Sequence, residues 1–135
     1  MKYLKKYKLF ESVSKNDIIE KLGFDPQLLL DLFVPLEDIG VNVRYIGYAR
    51  IIEGDLYEDQ YIFQYHNGEF NWEEEMPNNF EYIEFAIFAE SRDEEYEELI
   101  EELIIKLKSI FNDVSYEYEE TQINSIYFKD YKNKK

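Results

Sequence analysis

Cysteine is absent from this chain of 135 residues, which excludes a disulfide scaffold, a thiolate metal site and a thiol nucleophile. Histidine occurs once, at His66, so a Ser-His-Asp triad or a paired-histidine metal motif would have to be built around that one ring. With 5 Gly and 3 Pro there is no glycine-rich phosphate loop, no nucleophile elbow and no low-complexity linker. No apolar run approaches the roughly 18 residues that a membrane helix needs. No N-terminal stretch has the charged, apolar and small-residue order of a signal peptide. Positive charge is scarce: 15 Lys and Arg stand against 30 Asp and Glu. The expectation is a soluble, cytoplasmic protein without a cofactor.

What is present is apolar and aromatic. Hydrophobic residues make up 45% and aromatics 18%, with 13 Tyr and 10 Phe, so the chain can bury a real core and is not a polar disordered segment. Its length suits one domain. The acidity is local. Between Gly68 and Glu120 lie 18 acidic residues against Arg92, Lys106 and Lys108, so this stretch alone carries the whole net charge of −15. Such a field draws in cationic partners and repels nucleic acid, which argues against direct DNA or RNA binding.

Three domain segments are expected: a basic arm at 1–13, a single α+β domain at 14–130, and a basic tail at 131–135. In the arm, Tyr3, Leu4, Tyr7 and Phe10 share a helical face, with Lys2, Lys5, Lys6 and Lys8 elsewhere, and either a short helix or an extended segment fits. Ser14 caps a first helix, with Asp17 in its first turn and Gly23 at its end. Asp25 and Pro26 start a second, carrying Leu28, Leu29, Leu32 and Phe33, which Pro35 interrupts and Gly40 closes.

A first strand alternates from Val41 to Ile51, a turn follows at Glu53-Gly54-Asp55, and a second strand runs from about Gln60 to His66. Asn67-Gly68 is a hairpin signal. Glu69 to Asn79 reads as a short strand or loop. A central strand spans about Phe80 to Glu90. Then comes an amphipathic helix that Ser91 can cap, with an unbroken stripe of Tyr96, Leu99, Ile100, Leu103, Ile104, Leu107, Ile110 and Phe111, ending at Asn112 and Asp113. Strand-like runs at Val114–Tyr118 and Ile123–Phe128 finish the chain. The order α-α-β-β-β-α-β predicts an antiparallel sheet of about four to five strands with helices packed on one face, a ferredoxin-like variant.

The candidate sites are few. His66 precedes a turn, where an exposed histidine is ordinary, and no catalytic residue is assigned. Asp55, Glu58 and Asp59, and the run Glu73, Glu74 and Glu75, are oxygen-rich but lack the spacing that makes calcium ligands converge. They read as solvated charge, and no metal is expected. The late helix is different. Glu94, Glu97, Glu98, Glu101 and Glu102 share its outer face, and Glu94/Glu98, Glu97/Glu101 and Glu98/Glu102 are repulsive i, i+4 pairs relieved only by Glu102/Lys106. Ile105 sits in the middle of them, suited to be the apolar centre of an interface with a polar rim. That helix face, with Glu73–Glu75 as a second patch, is the expected partner-binding surface.

The opening Met-Lys-Tyr-Leu-Lys-Lys-Tyr-Lys-Leu-Phe-Glu-Ser resembles the start of small uncharacterised accessory proteins of large tailed phages of the T-even type. Asp38-Ile39-Gly40 before Val41-Asn42-Val43, the late amphipathic helix and the Tyr-rich end are also similar to theirs. Leu9-Phe10-Glu11 resembles the apolar-x-Glu site at which such phages cut head-directed leaders, which would make residues 1–11 a leader. The resemblance brings no catalytic residues. It implies a phage accessory protein, and such proteins include small acidic inhibitors of host defence.

The resulting expectation is a non-enzymatic acidic binding protein. Its partner would be a basic protein whose nucleic-acid-binding surface it occludes, as an anti-defence inhibitor or nucleic-acid mimic. The alternatives are an immunity protein for a basic toxin nuclease, and a structural or head-packaged virion protein with an N-terminal targeting leader. No membrane partner is expected, and the oligomeric state stays open.

Overall fold

A computed structural model describes residues 14–77 and 79–133. The basic arm, with its leader motif, and the last two lysines of the tail lie outside the described residues. Helix α1 is Lys15–Leu22, followed by a 3-10 segment, Pro26–Phe33, and a short helix α2, Val34–Asp38. Strands β1 (Arg44–Glu53), β2 (Leu56–His66), β3 (Glu69–Trp72) and β4 (Tyr82–Phe88) come next. Helix α3 (Tyr96–Ile110), β5 (Phe111–Glu119) and β6 (Gln122–Tyr131) complete the chain.

Local chemistry sets the first helices. Ser14 and Asp17 form a reciprocal capping box, and Gly23 ends α1 in the left-handed region at φ 86°, a conformation glycine adopts without a Cβ penalty. The Asp25 side chain accepts from the Gln27 N–H and Pro26 stands at the first turn. The leucine-rich stretch expected to be an α-helix is instead a 3-10 segment, with Pro35 in the first turn of α2 behind it. Proline has no N–H to give and its ring crowds the preceding turn, so one continuous α-helix across 26–38 is disfavoured.

The sheet has six strands in the order β3-β2-β1-β4-β6-β5, and every neighbouring pair is antiparallel. This corrects the expected count of four to five strands and the ferredoxin-like order. The α+β class stands. Two-residue links, Gly54-Asp55, Asn67-Gly68 and Glu120-Thr121, turn the chain back on itself in three hairpins. Both residues of Asn67-Gly68 have positive φ, at 54° and 80°, the pattern of the hairpin turn that this dipeptide favours. Because β6 pairs antiparallel with both β4 and β5, those two strands run parallel. The unit β4-α3-β5 is therefore a split β-α-β crossover with β6 in the gap. The other half of the sheet is a simple meander.

One face of the sheet carries the core. Tyr45, Phe63, Phe85, Phe111 and Phe128 are all essentially without exposed surface, and their rings lie 4.7–6.3 Å apart by centroid. Phe24 and Phe33 reach this cluster from the helical layer. Tyr131 joins it through Phe24 and Phe111, and the last strand, expected to end at Phe128, runs to Tyr131. Tyrosine hydroxyls tie the two layers. Tyr45 donates to the Pro26 carbonyl at 3.2 Å and Tyr65 to Glu37 at 2.6 Å. Burial, and secondarily the charge of Asp25, pushes the Tyr45 phenol well above its ordinary value, so it stays a donor.

Candidate functional site

Helix α3 buries Tyr96, Ile100, Leu103, Ile104 and Leu107 against the sheet. The 3.6-residue period then forces the intervening residues outward. Glu97, Glu98, Glu101 and Glu102 are exposed, as is Glu94, and Ile105 is 67% exposed among them. The structure thus brings the expected surface together. Two details change. Ser91 does not cap the helix; its hydroxyl accepts from the Asp93 N–H, whose own side chain accepts from the Glu95 N–H. These successive side-chain turns carry the chain to a start at Tyr96, with Glu95 at the cap position and no side-chain cap bond. Glu94 therefore precedes the helix, and only Glu97/Glu101 and Glu98/Glu102 are repulsive pairs within it. None of the five carboxylates has a cationic partner among the described residues.

Glu73, Glu74 and Glu75 lie elsewhere. They follow β3, at the edge of the sheet opposite β5. The Gln64 amide donates to the Glu73 carboxylate at 3.3 Å, and Gln60 donates to the Glu75 carbonyl at 3.3 Å. Helix α3 packs over β5 and β6 while Glu73–Glu75 follow β3 at the other edge, so the two acidic patches form two surfaces. Asp55, Glu58 and Asp59 also separate. Glu58 and Asp59 fall inside β2, opposite Ile51 and Arg50 respectively, and alternate side chains of a strand point to opposite faces. Asp59 is engaged with the Arg50 guanidinium. Among the described residues no three His, Asp or Glu side chains converge as metal ligands.

The face of the sheet away from the helices holds what the sequence reading did not foresee. Register places Tyr48, Arg50, Tyr82, Glu84, Tyr127 and Lys129 side by side there. Arg50 lies over the Tyr57 ring at 4.3 Å and over Tyr82 at 5.8 Å, and Lys129 over Tyr82 at 4.2 Å. Lys129 also stands 3.8 Å from both Glu84 and Asp113, and the Tyr48 hydroxyl donates to Glu84. Burial first, then the Glu84 hydrogen bond, raises the Tyr48 phenol above its ordinary value. Arg50 and Lys129 each have a ring and a carboxylate, while Arg44, at the end of the row, lies over the Phe88 ring at 5.8 Å. Around Arg50 and Lys129 the charges compensate one another and leave little unpaired charge for a ligand. The alternation of Arg44, Tyr48 and Arg50 along β1 was the one visible signal for it.

His66 is exposed at the end of β2, with Nε2 3.4 Å from the Asn42 amide. No carboxylate or hydroxyl partner positions it as a base among the described residues. His66→Ala is expected to leave the melting temperature within about 1–2 °C and the far-UV spectrum unchanged, the behaviour of a surface substitution. A fall of many degrees in a thermal melt would give the ring a structural role instead.

A cavity of about 330 Å³ opens between the end of α1 and the start of β4, walled by Phe24, Phe80, Tyr82, Phe85 and Tyr131. Lys21 lies over Phe80 at 5.0 Å and Lys129 over Tyr82, while Glu81 and Asp130 supply the opposite charge. Its polar lining is balanced, with no convergent set of donors or acceptors to orient a ligand. No family model matches the chain, and no curated protein or solved structure matches it either.

Proposed function

We propose that this is a non-enzymatic binding protein whose α3 face occludes a basic, nucleic-acid-binding surface on a protein partner. The observation that carries this reading is the exposed Ile105, 67% accessible, set among carboxylates with no cationic partner among the described residues, on a helix that would be more stable with lysines between them. Each repulsive i, i+4 pair costs about 0.2–0.5 kcal/mol. Carboxylates one turn apart, about 5.4 Å along the axis, crudely track a line of phosphates. An apolar centre with a charged rim is the usual anatomy of a protein–protein contact.

The test begins with a partner captured on the tagged wild-type protein and identified. Replacing Glu98, Glu101 and Glu102 together with Gln should keep the fold, raise the melting temperature slightly, and slow association with that partner about tenfold at low salt. Ile105→Asp should speed dissociation, since it places an unpaired charge in the contact. Nucleic acid bound to the partner should be displaced by the wild-type protein and not by the triple variant. Unchanged rates for both variants would overturn the assignment to α3.

A further inference from the structure

Strand β5 is, among the described residues, the outermost strand of the sheet and pairs only with β6, along Phe111–Glu119. Among the described residues, no backbone group of another element hydrogen-bonds to its outer side. A sheet edge this long is a template for one more strand unless charged side chains (lysine above all), a proline, a bulge or a covering element blunts it. Residues 111–119 contain no lysine and no proline. The strand carries one irregularity, between Glu117 and Tyr118.

Its two rows of side chains differ. Asp113, Ser115 and Glu117 point to the face away from the helices, continuing the row of Lys129 and Tyr127. Val114 and Tyr116 stand on the helical side, where Lys108 lies 5.9 Å from the Tyr116 ring centre. Tyr116 and Tyr118 are 40% and 60% exposed and their rings touch edge to face at 5.9 Å. The edge thus presents carboxylates on one side and uncovered aromatic surface on the other.

That pattern selects an occupant. A second copy of the strand, paired antiparallel about Ser115, would set Asp113 opposite Glu117 twice, and like charges directly opposite are destabilising. A strand alternating lysine or arginine with apolar residues would instead place one cation beside Glu117 and another beside Asp113, in addition to the Lys129 ammonium 3.8 Å from it, with its apolar residues beside Tyr116. We infer that the free edge of β5 accepts an extended basic segment of a protein partner as a seventh strand, with basic and apolar residues alternating. This inference rests on the reading of the protein as a binder of basic partners, and it uses a site that substitution of the α3 glutamates leaves intact.

The probe is an eight-residue peptide alternating lysine with valine, compared with a peptide of the same composition in which the lysines and valines form two blocks. Fluorescence anisotropy of the labelled peptides, with the full-length protein titrated in, should show the alternating peptide binding at least tenfold more tightly than the block peptide. Binding should weaken with salt and slow amide hydrogen exchange along 113–119. The variant Glu117→Lys should lose about tenfold in affinity while keeping the wild-type circular dichroism spectrum. The Glu98, Glu101 and Glu102→Gln variant should bind the peptide as the wild type does, so failure at one site is distinguishable from failure at the other.

Equal binding of the two peptides, or binding without slowed exchange in β5, would overturn the inference in favour of diffuse charge attraction. Protection confined to α3 would do the same. Slow exchange along β5 before any peptide is added, relieved by deleting residues 1–13, would make that segment the occupant. Relief on dilution, with a matching fall in mass, would make it a second copy.

Discussion

Gly47→Ala is expected to lower the melting temperature by about 5–10 °C, from a destabilisation of roughly 1–3 kcal/mol. Gly47 stands opposite Phe63 on one side and Phe85 on the other. A Cβ built on it would lie 2.2 Å from Phe63 Cε2 and 2.8 Å from Cδ2 and Cζ. Real carbon atoms do not approach that closely, so the ring must move. It has little room to do so. Phe63 has no exposed surface and is enclosed by Tyr45, Phe70, Trp72 and Phe85, with ring centroids 4.8–6.0 Å away. Close-packed interiors transmit such a displacement to their neighbours. If the steric account is right, Gly47→Ala combined with Phe63→Leu should be less destabilised than the two single changes added together, by about 1 kcal/mol. Strict additivity in denaturant titrations would assign the loss to the backbone instead.

Tyr96→Phe should cost about 1–3 kcal/mol and also change how the protein responds to alkali. The Tyr96 side chain has no exposed surface. Its hydroxyl stands 2.9 Å from the Ala89 carbonyl and 2.7 Å from the Ile123 carbonyl, binding the first turn of α3 to the end of β4 and the start of β6. Deleting the oxygen leaves two acceptors without this donor in a dry site, and an unmet buried polar group carries its full desolvation penalty.

Burial, and secondarily the charge of Glu90, pushes the Tyr96 phenol up to about 12, against about 10 in an unfolded chain. Between those values the unfolded chain releases the proton and the folded one retains it. The contribution is therefore fully present below pH 10 and is lost as pH rises towards 12. Tyr65, raised to about 12 mainly by burial and then by its bond to Glu37, adds a loss of the same sign. Urea midpoints at pH 8 and pH 11 should show the wild type losing more stability over that interval than Tyr96→Phe does. Equal losses would mean that Tyr96 does not contribute to the alkaline transition.

The parts of the fold that local chemistry decides were readable in advance. The Ser14 cap, the helical start at Asp25-Pro26, the glycine stop at Gly23 and the Asn67-Gly68 turn each depend on a few adjacent residues, and each occurs where expected, although the segment after Pro26 is 3-10 rather than α. The carboxylate face of α3 follows in the same way from one helical period. Boundaries set by tertiary packing were not readable. Phe111 continues the apolar stripe of α3 and is also a buried first residue of β5, so periodicity cannot tell where the helix stops. Most of β5 is exposed on both faces, which removes the alternation that would have shown its full length. The Arg50–Asp59 pair and the aromatic network around it depend on strand register, and a bulge between Gly47 and Tyr48 shifts that register. No window of sequence contains that information.

The short hairpin links imply an order of assembly. Closing a two-residue loop takes little chain entropy, so β1-β2-β3 and β5-β6 can each form from neighbouring segments. Strand β4 has no such neighbour. It must pair Tyr82 with Arg50 on one side and Phe85 with Phe128 on the other, contacts that wait for long stretches of chain to meet. The sheet is expected to form as two quick ribbons that are joined last, along the seam at β4. That seam runs beneath Phe85, whose ring lies within 5.3–6.3 Å of Phe24, Tyr45, Phe63, Phe111 and Phe128 by centroid. The rate of folding should therefore be governed by this non-local closure rather than by helix or hairpin formation.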